Sequence, residues 1–165
     1  MSSVFNPDVT YQAIDEYIRP FANEMYKEFR PDVIIAVGRG GLILSSMLAH
    51  QLEINRIRHL DIARDREGEV FMRTPFITEE NCDRILVVDD IACKGQTLKW
   101  IQDNKLTLFP SSGDSYPIVR YLTLFHRNTS SFEPDYALVK IDHDNYVTFP
   151  WDYDYSRDDE EEIPF

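Results

Sequence analysis

The sequence predicts an α/β domain with a central parallel sheet flanked by helices, on three observations. Strand runs at 33–37, 57–62 and 85–88, the first and third continuously apolar, alternate with segments of helical periodicity, the pattern of a parallel sheet joined by crossover helices. Two of the runs end in residues suited to a ligand at the carboxyl edge of such a sheet: Gly38-Arg39-Gly40-Gly41 after the first and Asp89-Asp90 after the third. The chain has 165 residues, 43% hydrophobic and 28% charged, enough for one domain with a real core.

In chain order, Asn6-Pro7-Asp8 reads as a helix start, with Asn6 as cap and Pro7 at the first helical position. Ile14, Tyr17, Ile18, Phe21, Met25 and Phe29 follow at helical spacing, and Pro20 is expected to kink or split that helix before Pro31-Asp32 ends it. The run 33–37 is a strand and the glycines at 38–41 a loop. A helix follows over 42–52, its packing face at 42, 48, 49 and 52, then a strand over 57–62. Residues 63–83 differ, being rich in charge (Arg64, Asp65, Arg66, Glu67, Glu69, Arg73, Glu79, Glu80) with a weak strand signal at 70–72. A polar excursion of that length is a functional flap or a mobile hairpin.

The run 85–88 is a buried strand stopping at the acid pair. A loop with one glycine spans 91–96, and a helix is expected over 98–104. After a turn-rich break at 110–117 come strands at 118–125 and 136–141, an aromatic-rich segment at 145–151, and an acidic run at 158–162 that reads as a solvated tail. There is no internal repeat and no sign of a second domain.

Composition narrows the function. No apolar run approaches the ~18 residues of a membrane span, and no signal-peptide pattern opens the sequence. Cys82 and Cys93 have neither metal-ligand spacing nor a disulfide framework, which points to a reduced, cytoplasmic compartment. A formal charge of −12 argues against nucleic acid or an anionic membrane as partner. A polyanionic small ligand must therefore find its cations locally or in a metal.

Vicinal carboxylates at a strand end accept hydrogen bonds from neighbouring sugar hydroxyls, directly or through a Mg²⁺ shell. Alone, Asp89 and Asp90 are as readily solvated loop acids; Lys94-Gly95-Gln96-Thr97 and a helix start after them favour a site. Gly95 permits φ > 0, so that successive N–H groups converge on a phosphate, and Thr97 adds a hydroxyl. Arg39 in the other glycine segment offers paired donors to phosphate oxygens, although turn chemistry alone also explains such glycines. Two anion-friendly segments on one sheet edge suggest a sugar phosphate bearing phosphates at both ends.

At this point the residues resemble a family. VVDDIACKGQT resembles the phosphoribosyl-pyrophosphate signature of the type I phosphoribosyltransferases. IIAVGRGGLILSSMLAHQL is similar to the pyrophosphate-loop strand and helix of their purine-salvage members. PDYALVKIDHDNYVTFPWD resembles the C-terminal hood of the bacterial xanthine–guanine and hypoxanthine enzymes. The resemblance spans about residues 10–152. It implies a type I phosphoribosyltransferase fold over 1–152, with a flap at about 63–83, a hood mainly at 126–152 and an acidic tail at 153–165.

It also implies a Mg²⁺-dependent reaction of phosphoribosyl pyrophosphate with a 6-oxopurine (xanthine, guanine or hypoxanthine), giving a nucleoside 5′-monophosphate and pyrophosphate. By the same resemblance, Asp89, Asp90 and Cys93 fall at catalytic positions, and phosphoribosyl pyrophosphate is held by Arg39, Gly40, Asp89, Asp90, Ala92, Cys93, Lys94, Gly95, Gln96 and Thr97. Arg127, Tyr146, Val147 and Asp152 bind the purine, Asp90 and Asp152 lie near the metal, and Trp151 packs the hood. Arg64 and Arg66 close over the pyrophosphate, and the assembly is a homodimer or homotetramer. Two positions depart from the family: Lys94 stands where threonine is usual, and Cys93 where purine members carry an aspartate. A cysteine there raises a second reading, a sensor on the same fold that binds the sugar phosphate or a nucleotide and regulates a partner. A phospho-receiver, which ILVVDD also resembles, fails on the order of its segments.

Overall fold

Helix α1 (Tyr11–Glu28) starts at Thr10, whose side-chain oxygen accepts the Ala13 N–H at 3.1 Å. The computed structural model describes residues 9–76, 82–111, 115–142 and 146–152, so the expected start at Asn6-Pro7-Asp8 lies outside the described residues. Pro20 does not split α1. The helix runs unbroken through it, held by a buried face of Ile14, Ile18, Ala22 and Met25 that outweighs one missing backbone bond.

β1 (Val33–Val37) is buried throughout and passes directly into α2 (Gly38–Leu52). The glycines at 38–41 are therefore the first turn of a helix and not a separate loop. Gly38 at φ +59° makes the bend, and Gly41 lets the helix lie against the sheet, where a Cβ would come within 2.6 Å of the Val88 carbonyl. The run expected as one strand over 57–62 is divided. β2 (Ile57–Leu60) joins the main sheet, and β3 (Ile62–Arg64) turns away to pair antiparallel with β4 (Val70–Met72). This hairpin takes up the first part of the charged stretch at 63–83, whose Glu79 and Glu80 lie outside the described residues. It is closed by the Asp65 carboxylate, which accepts the N–H groups of Glu67 and Glu69 at 2.9 and 2.8 Å.

β5 (Arg84–Ala92) continues through the acid pair instead of stopping before it. The reason is its neighbour β6 (Ile118–Arg127), long enough to pair Asp89 with Thr123, Ile91 with Phe125 and Ala92 with His126. A short turn at 93–95 leads to α3 (Gln96–Asp103) and then to α4 (Lys105–Leu108), a helix not foreseen as separate. β7 (Tyr136–Ile141) completes a five-stranded sheet, parallel throughout, in the order β2-β1-β5-β6-β7.

Strand alternation divides the core between the two faces. Ile34, Leu86 and Val88 pack with α1 and α2 against Ile18, Met25, Leu44 and Leu48. Val33, Ile35, Ile85 and Val87 pack with Leu98, Ile101, Leu108 and Phe109 on the other side. Among the described residues, no helix is long and apolar enough to cross a membrane.

Candidate active site

Because β5 stays a strand through the acid pair, its side chains keep alternating there. Asp89 follows Ile85 and Val87 to the α3 face, and Asp90 follows Leu86 and Val88 to the α2 face. Asp90 lies so close to the start of α2 that a Cβ on Gly40 would sit 1.7 Å from its Oδ2. The Asp90 N–H donates to Asp89 Oδ1 at 3.0 Å, fixing one carboxylate relative to the other. Asp89 borders both a cavity of about 630 Å³ and a smaller one of about 210 Å³, and Asp90 borders the larger.

Arg39 and Gly40, on the first turn of α2, line the larger cavity with Ile43, Ile62, Ala63 and Thr97. Tyr146, Trp151 and Asp152 border it from the 146–152 segment. The smaller cavity is lined by Ala92, Cys93, Gly95, Thr97 and Leu98, with Arg64 from the flap. Both helices that open onto these cavities lack a side-chain N-cap, whereas α1, remote from them, has one. A helix start without a side-chain acceptor for its first N–H groups is suited to an anion.

The turn at 93–95 is braced from outside. Gly95 sits at φ +75°, where a Cβ would come within 2.6 Å of the Phe132 amide nitrogen. The Lys94 carbonyl accepts from the Ser131 hydroxyl at 2.7 Å and from its N–H at 3.2 Å. Ser130 and the buried Phe132 complete this brace, which the sequence reading missed; the one signal was a Thr-Ser-Ser run of turn-forming hydroxyls just after β6.

Burial dominates the electrostatics of the acid pair. Burial pushes Asp89 well above the usual carboxylate range, and the adjacent Asp90 adds to the shift. Burial likewise raises Asp90, with Asp152 as the repelling neighbour. Asp152 also holds the Tyr146 phenol up, with partial burial second. Burial raises the Cys93 thiol more than the nearby Arg127 lowers it, so Cys93 is a neutral thiol near pH 7.

The remaining predicted residues divide between the cavities and their surroundings. Tyr146 is 72% exposed, a ring free to receive a flat partner, while the Val147 side chain is in the core. Trp151 stacks on Phe149 with centroids 4.8 Å apart. Asp152 accepts the Phe149 N–H at 2.8 Å, which closes the turn that carries it. Lys94 and Gln96 are exposed and line neither cavity; Arg127, half-buried at the end of β6, lies within electrostatic reach of Cys93. Arg64 borders both cavities and donates to Thr97 on α3, and Arg66 is exposed beyond the end of β3.

Among the described residues, no group of three or more His, Cys, Asp or Glu side chains is placed to hold a metal. Asp90 and Asp152 border one cavity and repel each other. That donor set fits a hard divalent ion that takes one or two carboxylates and completes its shell with ligand oxygens and water.

Residues 9–158 match the phosphoribosyl transferase domain family. The chain is similar to a purine phosphoribosyltransferase from Pyrococcus horikoshii Ot3, at 25% identity and a TM-score of 0.72 over 96% of each chain. It also shares the fold of the Helicobacter pylori xanthine-guanine-hypoxanthine phosphoribosyltransferase, at 17% identity and a TM-score of 0.73 over 86% of this chain and 90% of that one. A hypothetical protein from Neisseria gonorrhoeae with bound ppGpp has the same fold, at 23% identity and a TM-score of 0.65 over 92% of each chain. The chain belongs to the phosphoribosyl transferase domain family and has the type I fold of its purine-salvage members.

Proposed function

We propose that this protein transfers a 5-phosphoribosyl group from phosphoribosyl pyrophosphate to a 6-oxopurine, giving a nucleoside 5′-monophosphate and pyrophosphate. The observation that carries the reading is the divergence of Asp89 and Asp90, which puts sugar-hydroxyl acceptors between two uncapped helix N-termini. In this reading the ribose hydroxyls donate to the acid pair, and the 5′-phosphate takes the N–H groups of the turn from Ala92 to Thr97. The pyrophosphate lies against Arg39 and the first turn of α2.

The base stacks on Tyr146, with Arg127 toward its 6-oxygen and the Val147 backbone at its edge. When bound, Mg²⁺ would supply positive charge to the leaving pyrophosphate, held through Asp90 and Asp152. The chain's own residues orient the base nitrogen toward C1′, and the flap excludes water from the electron-poor ribosyl centre. The C1′–O bond to pyrophosphate breaks and the C1′–N bond forms. The proton shed by the base goes to solvent or pyrophosphate, because a neutral Cys93 thiol does not accept it. A division into a catalytic domain and an acidic tail, assembly as a homodimer or homotetramer, and a cytoplasmic location belong to the same reading.

Cys93 also favours a second reading, a sensor that binds the sugar phosphate or a nucleotide without efficient turnover; the ppGpp-bound relative is a fold neighbour consistent with it. One assay separates them: nucleotide formation from phosphoribosyl pyrophosphate with xanthine, guanine and hypoxanthine, for wild type and Cys93→Asp. Turnover by wild type supports the transferase. Binding without turnover, with activity gained by Cys93→Asp on the order of the 10²-fold that general acid–base help supplies, supports the sensor.

A further inference from the structure

We propose that Arg64, carried on the β3–β4 hairpin, is the specificity-determining residue for the ligand's 5′-phosphomonoester, so that this phosphate and not the pyrophosphate draws the hairpin over the site. The proposal rests on the reading that the turn from Ala92 to Thr97 receives that phosphate. It departs from the expectation, drawn from the resemblance, that the flap arginines cover the pyrophosphate.

Three observations lead to it. Arg64 Nη2 donates to Thr97 Oγ1 at 2.9 Å across 33 positions of sequence, tying the end of β3 to the first turn of α3. β4 packs against α3 as well, so the hairpin rests on the phosphate-turn side of the site. Second, Arg64 is the one cation among the residues lining the 210 Å³ cavity; Lys94, the lysine of the turn itself, is exposed and lines neither cavity. Arg64 also borders the larger cavity, beside Arg39, but Arg39 borders that cavity alone, so the cationic side chain facing the smaller one is that of Arg64. A phosphomonoester carries close to two negative charges at neutral pH, and the first turn of an eight-residue helix does not neutralise both.

Third, the donors are free to serve. The guanidinium has five N–H groups, and the bond to Thr97 uses one. Because Thr97 accepts from Arg64, its own hydroxyl proton remains to be donated to a phosphate oxygen. Arg64 and Thr97 thus form a preset pair of donors, one on the lid and one on the helix, that a phosphate bridges. The positive charge of Arg64 also favours the ionised form of Asp89, so the same side chain steadies the acid pair beside it.

The test is calorimetric titration, in Mg²⁺ buffer, of ribose 5-phosphate and of inorganic pyrophosphate separately. Wild type, Arg64→Gln, Arg64→Lys and the remote charge control Lys27→Gln are compared, with thermal melts to confirm folding. The expected result is a loss of about 10- to 100-fold in ribose 5-phosphate affinity for Arg64→Gln, the range for one charge-assisted hydrogen bond. Arg64→Lys recovers part of it, while pyrophosphate affinity stays unchanged and Lys27→Gln behaves as wild type. Wild-type binding of ribose 5-phosphate that Arg64→Gln leaves intact, or a loss equal for both ligands or confined to pyrophosphate, overturns the proposal alone. Failure of the wild type to bind ribose 5-phosphate overturns the parent reading, and this proposal with it.

Discussion

The two ends of the β1–β5 strand pair each carry aspartates, and the contrast between them separates stability from function. At the amino end, Asp32 accepts the Asp83 N–H at 3.0 Å, the Arg84 N–H at 2.8 Å and the Arg84 guanidinium at 3.0 Å. Burial alone would raise it, but the bonds from Arg84 and Asp83 outweigh burial and hold its pKa below the usual value. At the carboxyl end, burial pushes Asp89 and Asp90 the other way, with repulsion from Asp90 adding to the first and from Asp152 to the second. One end of the sheet satisfies its charges internally, and the other leaves them for a ligand. An unrelieved carboxylate pair in a cavity is a cost that folding alone gives no reason to keep.

The largest expected effect breaks the ligand end by filling the space its carboxylates occupy. Gly40→Ala places a methyl where Asp90 Oδ2 now sits, displacing the carboxylate by about an ångström or more. Calorimetry should find phosphoribosyl pyrophosphate affinity reduced ~100-fold, the scale of an ångström misplacement in a site. An affinity within threefold of wild type would mean that Asp90 does not work from this position.

Two aspartate variants then sharpen the contrast through pH. Asp89 has a raised folded-state pKa, so its contribution to stability is full below the ordinary value of about 3.8 and is lost as pH rises through the raised value. Near pH 7 the buried carboxyl costs the fold stability. Asp89→Asn should therefore raise the ligand-free Tm by about 2–4 °C, what ~1 kcal/mol gives in a chain of this length, while weakening sugar-phosphate binding about tenfold. Asp32 has the opposite sign: its contribution is present above about 3.8 and disappears as pH falls through its lowered folded-state pKa. Asp32→Asn should cost about 1–2 kcal/mol at pH 7 by urea denaturation and leave ligand affinity unchanged. A Tm fall for Asp89→Asn with no change in binding would erase the distinction.

The smallest effect concerns the exposed ring over the cavity. Tyr146→Ala should weaken purine nucleotide binding about three- to tenfold, as the loss of one stacking contact does, with stability altered by less than ~0.5 kcal/mol. Inhibition constants for the nucleoside monophosphate together with a thermal melt decide it. Stability loss without affinity loss would make Tyr146 a packing residue.

The same contrast explains what was legible in the sequence. β1 and the core of β5 are continuous apolar runs buried on both faces, a pattern visible in the residues alone. The boundaries were read less well wherever a partner element decides them. β5 runs on through Asp89 and Asp90 because β6 offers ladder partners there, and the glycines at 38–41 are helical because α2 starts at the strand's last residue. The strand at 57–62 divides because Ile62 pairs with Met72 and not with β1. For the site, residue types and spacing pointed to the acid pair and the glycine segments. The Arg64–Thr97 bond and the Ser130–Phe132 brace join residues far apart in sequence, and no local pattern announces them.

The central claim is that Asp89 and Asp90 receive the ribose of a phosphorylated sugar, and the most direct measurement is calorimetric titration of phosphoribosyl pyrophosphate with Mg²⁺ into wild type and the Asp89→Asn/Asp90→Asn double variant. The account predicts one site per chain in the wild type and at least ~100-fold weaker binding in a folded double variant. Equal binding by the two proteins, or none by the wild type, would contradict it.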